Sequence, residues 1–288
     1  MKNKYHIQIR IVILTLFFGL TKSVYAQQSV SFNSPVNTKT RPIELQLKKT
    51  YELEKDILSY TVDPKKQDVR LFWKDDNGKT IGSFNQLKTH LKSKNKALLF
   101  AANAGMFTPE YGPVGLLIQE GKIIHKMNNS DGKGNFNWKP NGVFYITKNN
   151  IAGVCQSSEF SNNGDIKYAT QSGPMLIING KLHEGFENSK SLYVRNGVGI
   201  LPDGKVIFAM SKKEITFYDF AKYFLDLGCK NALYFDGAIS KTYLPEQNLT
   251  SQDGRFGVIV GVNLAGSAMA GPHPRGTAFL ITVNLRAR

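Results

Sequence analysis

Met175-Leu176-Ile177-Ile178-Asn179-Gly180-Lys181-Leu182 reads as a β-hairpin. The apolar run is too short for a helix, and Asn-Gly supplies the positive φ angles of a tight hairpin turn. The same pattern recurs on both sides. Leu116-Leu117-Ile118-Gln119 and Ile123-Ile124 flank Glu120-Gly121-Lys122. Val143-Phe144-Tyr145-Ile146 and Ile151-Ala152-Gly153-Val154 flank Asn149-Asn150. Apolar stretches at 197–201 and 206–210 flank Pro202-Asp203-Gly204-Lys205. Four such hairpins predict an α+β fold: a large, mainly antiparallel or mixed β-sheet system with a few packed helices, in a single domain. Their spacing is too irregular for a propeller repeat.

Two segments carry helix signals. Over 83–91, Ser83 and Gln86 stand at capping-box spacing. Over 216–227, Thr216 and Asp219 form an N-terminal capping pair. Phe217, Phe220, Ala221, Phe224 and Leu225 make an apolar stripe, and Gly228 is placed to end the helix. That helix leads into Leu233-Tyr234-Phe235-Asp236-Gly237-Ala238-Ile239-Ser240. An apolar strand ends there on an acid, with small residues after it. Such a stretch delivers a carboxylate to the mouth of a site, or caps a turn through backbone N–H groups. On these residues alone both readings stand.

Three other apolar runs end on polar groups beside glycine. Leu98-Leu99-Phe100-Ala101-Ala102 enters Asn103-Ala104-Gly105-Met106-Phe107. Tyr168-Ala169-Thr170 enters Gln171-Ser172-Gly173-Pro174. Leu192-Tyr193-Val194 enters Arg195-Asn196-Gly197-Val198-Gly199. Segments of this kind expose backbone N–H groups to an anion or hold side chains over a ligand. The expectation is that all four segments, Asp236 included, converge at one sheet edge.

In this order the four segments resemble the phosphodiester glycosidase family over about residues 95–262, with exported bacterial members nearest. Where the family's characterised enzyme has Asn-Gly-Gly and Asp-Gly-Gly, this chain has Asn103-Ala104-Gly105 and Asp236-Gly237-Ala238. The resemblance implies hydrolysis of a sugar joined through its anomeric carbon to a phosphodiester. A phosphate oxygen leaves more readily than a sugar alkoxide. One carboxylate can therefore serve where ordinary glycoside hydrolysis uses two. The resemblance makes Asp236 the nucleophile or base and Arg195 a planar, bidentate phosphate clamp. It sets Asn103 and Gln171 on sugar hydroxyls or an N-acetyl group. Ser172, Ser240 and the backbone around Gly105, Gly173 and Gly237 would hold phosphate oxygens, and Asn196 joins the substrate-binding set. No cofactor and no metal-ligand set are implied, although a divalent cation at Asp236 stays open. Gln171-Ser172-Gly173-Pro174 lacks the nucleophile-elbow pattern, and the acids are not clustered for two-metal chemistry.

The ends read differently from the body. Lys2, Lys4 and Arg10, the apolar run at 11–20 and Val24-Tyr25-Ala26 have the plan of a cleaved signal peptide, residues 1–26. Export to the periplasm or beyond follows, with no stable membrane span once the signal is removed. Residues 27–42 read as a linker or mobile arm, 43–263 as the domain, and 264–288 as a Gly/Pro/Ala-biased tail. The net charge is +15, and removing the basic residues of signal and tail leaves +8 over 27–263. Those charges are scattered, which ranks a nucleic-acid partner last. The main competitor to the enzyme is an envelope protein that binds cell-wall or exopolysaccharide glycans in the same cleft. Cys155 and Cys229 leave both a disulfide and two free thiols open. His90, His125 and His183 stand apart, with no zinc spacing.

Overall fold

The computed structural model describes residues 55–237, 239–250 and 253–265. The expected signal and linker, Ala238, and the tail beyond Ala265 lie outside these residues. Three sheets make the body, and every strand pairing among the described residues is antiparallel. With strands numbered in chain order, the first sheet holds β1 (Ile57–Val62), β9 (Met175–Ile178), β10 (Lys181–Leu182), β11 (Asn196–Ile200), β12 (Val206–Ser211) and β13 (Ala232–Asp236). Their spatial order is β1-β12-β11-β13-β9-β10. The second holds β2 (Asp68–Phe72), β3 (Lys96–Asn103), β14 (Thr242–Tyr243) and β15 (Ile259–Ala265), ordered β14-β3-β15-β2. The third holds β4 (Leu117–Gln119), β5 (Lys122–His125), β6 (Gly142–Thr147), β7 (Ala152–Gln156) and β8 (Ile166–Ser172), ordered β5-β4-β8-β6-β7.

All four hairpins expected from the sequence form, as the pairs β4–β5, β6–β7, β9–β10 and β11–β12. Asn179 and Gly180 take φ +50° and +79°, the left-handed turn that Asn-Gly favours. Two complete helices accompany the sheets. Helix α1 (Phe84–Ser93) starts where Ser83 Oγ accepts the Gln86 N–H at 3.2 Å. Helix α2 (Phe217–Asp226) starts where Thr216 Oγ1 accepts the Asp219 N–H at 3.0 Å, and Gly228 follows its end at φ +77°. Helix α1 buries Phe84, Leu87 and Leu91 against Phe72, Leu98 and Ile259 of the second sheet. Helix α2 buries Phe217, Phe220 and Phe224 against Ile177, Ala232 and Tyr234 of the first.

The main core draws on all three sheets. Phe100, Phe144, Phe208 and Phe235 meet at its centre. Ring centroids lie 5.1 Å apart for Phe100–Phe208, 5.8 Å for Phe144–Phe208 and 6.1 Å for Phe144–Phe235. Strand β15 pairs Leu264 and Ala265 with Ala97 and Lys96. Cys155 and Cys229 are free thiols, and burial pushes them up to about 11 and about 12. Neither is a thiolate at neutral pH. Among the described residues no helix is long and apolar enough to cross a membrane.

Phe208 touches partners from the other two sheets. Phe208→Ala should destabilise the protein by ~3–5 kcal/mol, the range for a buried aromatic. Urea unfolding followed by circular dichroism measures this, and a change below ~1 kcal/mol would show that the three sheets do not share one core.

Candidate active site

The strand that carries Asp236 is buried along its whole length, from Ala232 to Asp236. It runs between β11 and β9. Its register with β11 slips by one residue at the end. Gly197 faces Tyr234, whereas Asn196 faces Asp236. Such a bulge bends a strand and re-aims its last side chains. It brings Asp236 opposite the Asn196 amide.

That amide ties the site together. Asn196 Oδ1 accepts the Asp236 backbone N–H at 3.0 Å. Asn196 Nδ2 donates to Asn103 O at 2.8 Å and to Asn103 Oδ1 at 3.0 Å. Asn103 is the last residue of β3, so one side chain links the ends of two sheets. The third sheet joins through Ser172, the last residue of β8, whose Oγ donates to Phe235 O at 2.8 Å. The turn after Asp236 closes on the same groups. Gly237 N–H donates to Asp236 Oδ1 at 2.6 Å, Ser240 Oγ to Asp236 O at 2.7 Å, and Lys241 N–H to Asn103 Oδ1 at 3.0 Å. Asp236 therefore does cap its own turn.

Asn103, Ser172, Asn196, Asp236, Gly237 and Ser240 are thus brought together. They meet where three sheets end and not along one sheet edge. Asn103 Oδ1 is locked by two donors, which turns Nδ2 the other way. That nitrogen is buried and has no hydrogen-bond partner among the described residues. Two positions have no room for a side chain, and glycine occupies both. A Cβ on Gly105, at φ +90°, would lie 2.8 Å from Thr170 Oγ1. A Cβ on Gly237 would lie 1.7 Å from the Tyr234 hydroxyl oxygen.

Two predicted side chains are engaged elsewhere. Gln171 accepts the Leu116 and Asn128 N–H groups at 3.0 and 2.9 Å and donates to Asn128 O and Ser157 Oγ at 2.8 and 3.1 Å. Its amide pins the loop beside β4, and Gly173 packs against Asn141. Arg195 is 0 % exposed. Its Nε donates to Ile215 O at 2.8 Å and Nη2 to Ser191 O at 2.8 Å, while the guanidinium lies 3.5 Å from the Phe217 ring centroid. The bidentate face expected for a phosphate is therefore turned toward protein oxygens. Sequence reading missed Tyr234, whose hydroxyl receives Arg195 Nη1 at 3.4 Å. It stood in the quoted strand and read as core. A buried tyrosine two residues before an acid was the available signal, since its hydroxyl needs a partner.

Residues 96–263 match the phosphodiester glycosidase family. YigE, an uncharacterised protein of Escherichia coli strain K12, is 34 % identical over 215 residues, covering 73 % of this chain and 83 % of YigE. The chain belongs to the phosphodiester glycosidase family. Among solved structures, the catalytic domain of zebrafish N-acetylglucosamine-1-phosphodiester α-N-acetylglucosaminidase, auto-inhibited by its pro-peptide, has a TM-score of 0.49 at 16 % identity. The match covers 72 % of this chain and 81 % of that one. A hypothetical protein from Synechocystis has a TM-score of 0.44 at 14 % identity, over 72 % of this chain and 59 % of that one. Of the two departures from the family's glycine pairs, Ala104 is fully buried and part of the main core. Its methyl serves packing. Ala238 lies outside the described residues.

Gly237→Ala forces its methyl into the Tyr234 hydroxyl. It should destabilise the fold by ~1–3 kcal/mol, the usual cost of overpacking. Adding Tyr234→Phe should restore part of that loss, because it removes the clashing oxygen. Thermal melts of the single and double variants decide it; no recovery in the double variant would mean that the contact is not steric.

Proposed function

We propose that this protein is an exported hydrolase that cleaves the bond between the anomeric carbon of a sugar and a phosphodiester oxygen. Family membership supports phosphodiester glycosidase chemistry, and the site supplies the groups that this chemistry uses. The observation that carries the reading is the buried Nδ2 of Asn103, which has no hydrogen-bond partner among the described residues and sits on a residue linked to Asp236 through Asn196. A buried amide donor without an acceptor costs ~1–3 kcal/mol, and a ligand oxygen removes that cost. A sugar hydroxyl or a phosphate oxygen is such an acceptor.

In the proposed reaction the C1–O bond to phosphorus breaks, and the phosphate departs with the bonding electrons. Water supplies the hydroxyl that C1 acquires. Asp236 acts as the nucleophile whose glycosyl ester water then cleaves, or as the base that takes the water's proton. The products are a free sugar and a phosphate monoester of the aglycone. Asn103 Nδ2 and the backbone around Gly105 and Gly237 orient the substrate. The signal-like pattern of residues 1–26 supports a reading in which this activity works in the cell envelope or outside it, on envelope or exogenous glycans.

Methyl-phospho-N-acetylglucosamine and UDP-N-acetylglucosamine are the assay substrates, with release of free sugar as the readout. Asp236→Asn should fold normally and lose at least ~100-fold in kcat, the low end of what a positioned acid–base group supplies. Asn103→Asp keeps the Oδ1 contacts and removes the donor; kcat/KM should fall by about tenfold or more, on the scale of one hydrogen bond. A folded Asp236→Asn protein with wild-type turnover would remove Asp236 from the chemistry. Saturable glycan binding by the wild type without sugar release would make the cleft a binding module.

A further inference from the structure

We propose that Tyr234 is a positioning residue for this site: its hydroxyl, held by Arg195, fixes the Asp236–Gly237 turn and carries the Arg195 charge to it. The inference rests on the reading of Asp236 as the reacting carboxylate.

Arg195 is an unusual cation. It is fully buried, yet among the described residues no carboxylate lies within ion-pair reach of it. A buried charge without a counter-charge is costly, and an apolar side chain of similar size would pack there more stably. Its placement is nonetheless tightly specified. Nε and Nη2 are held by Ile215 O and Ser191 O, and Phe217 supports the guanidinium face. Ser211 Oγ accepts the backbone N–H of Arg195 at 2.9 Å. With these contacts made, the partner of Nη1 among the described residues is the Tyr234 hydroxyl at 3.4 Å.

Tyr234 is as closely held. Its ring meets Phe217 edge-on, with centroids 4.8 Å apart, and none of it is exposed. Its oxygen occupies the space that a side chain at residue 237 would need. The hydroxyl accepts from Arg195, so its own hydrogen is directed away from the guanidinium. Burial pushes the phenol well above its usual range, Arg195 draws it back, and Asp236 raises it again. Tyr234 therefore stays protonated at working pH and does not act as a base. The buried cation then has a use. A positive charge behind this turn favours negative charge in front of it, both on Asp236 and on a departing phosphate.

This differs from a phosphate clamp in what removal of one oxygen should do. Tyr234→Phe retains the ring and should melt within a few degrees of the wild type. Its kcat on methyl-phospho-N-acetylglucosamine should fall about 10- to 100-fold, with KM changed less than threefold. Arg195→Lys should lose a similar factor. The double variant should lose no more than the worse single variant, because the two residues act as one device. Wild-type kcat in Tyr234→Phe, or losses that multiply in the double variant, would overturn the proposal. A second readout does not need turnover. With tyrosines labelled at 13Cζ and Tyr234→Phe used for assignment, the Tyr234 resonance should move in both Arg195→Lys and Asp236→Asn. An unmoved resonance overturns the coupling even in an active enzyme. A moved resonance in a wild type that releases no sugar overturns the hydrolase reading and supports the coupling.

Discussion

Two ends of one side-chain amide hold this structure's polar centre together. Asn196 is buried, with its carbonyl on the backbone of one sheet and its amino group on the last residue of another. The Asp236 N–H sits at a bulge, beyond the regular ladder, and would be an orphan buried donor without Asn196 Oδ1. The Asn103 backbone carbonyl would likewise lose the Asn196 donor, while Asn103 Oδ1 would keep only the Lys241 N–H. An isosteric apolar side chain at 196 would leave both strands with unsatisfied groups, so the site's geometry and its hydrogen-bond accounting have one solution.

Below this polar layer lies the aromatic one. Phe235 belongs to the main core with Phe144 and Phe208, while its neighbours Tyr234 and Asp236 carry the polar contacts. The strand is therefore anchored on rings of the first and third sheets immediately beneath Asp236. A site on such a support is more rigid than one on a free loop. An arginine can be buried nearby because its guanidinium carbon lies 3.5 Å from the Phe217 ring centroid and backbone oxygens receive its donors.

What the sequence made legible was local. The hairpins depend on Asn-Gly and Asp-Gly pairs, and the helices on Ser83, Thr216 and Gly228; each of these acts within a few residues of itself. The matched family region, 96–263, lies within one residue of the span inferred from four short segments. What stayed hidden was the direction of polar side chains over long separations. Gln171 looked like a ligand group, yet it meets Asn128, 43 residues away. Arg195 looked like a clamp, yet its partners Ile215 and Tyr234 lie 20 and 39 residues on. Nothing in residues 195–199 announces those partners. Convergence of the four segments was legible as a possibility of pattern; that it happens where three sheets end required the topology.

The two readings of Asp236 that looked opposed in the sequence are compatible in the structure. As a turn cap, its Oδ1 accepts the Gly237 N–H at 2.6 Å. Capping restricts the carboxylate to one orientation before any substrate arrives. That restriction is what a reacting carboxylate requires, because a freely rotating one would lose its positioning advantage. Gly237 serves both ends: its N–H orients the acid, and its lack of a side chain admits the Tyr234 hydroxyl. A substitution that left the cap intact but filled the space of the missing Cβ would separate the two functions. The small residue after Asp236 is thus as much a part of the site as the acid.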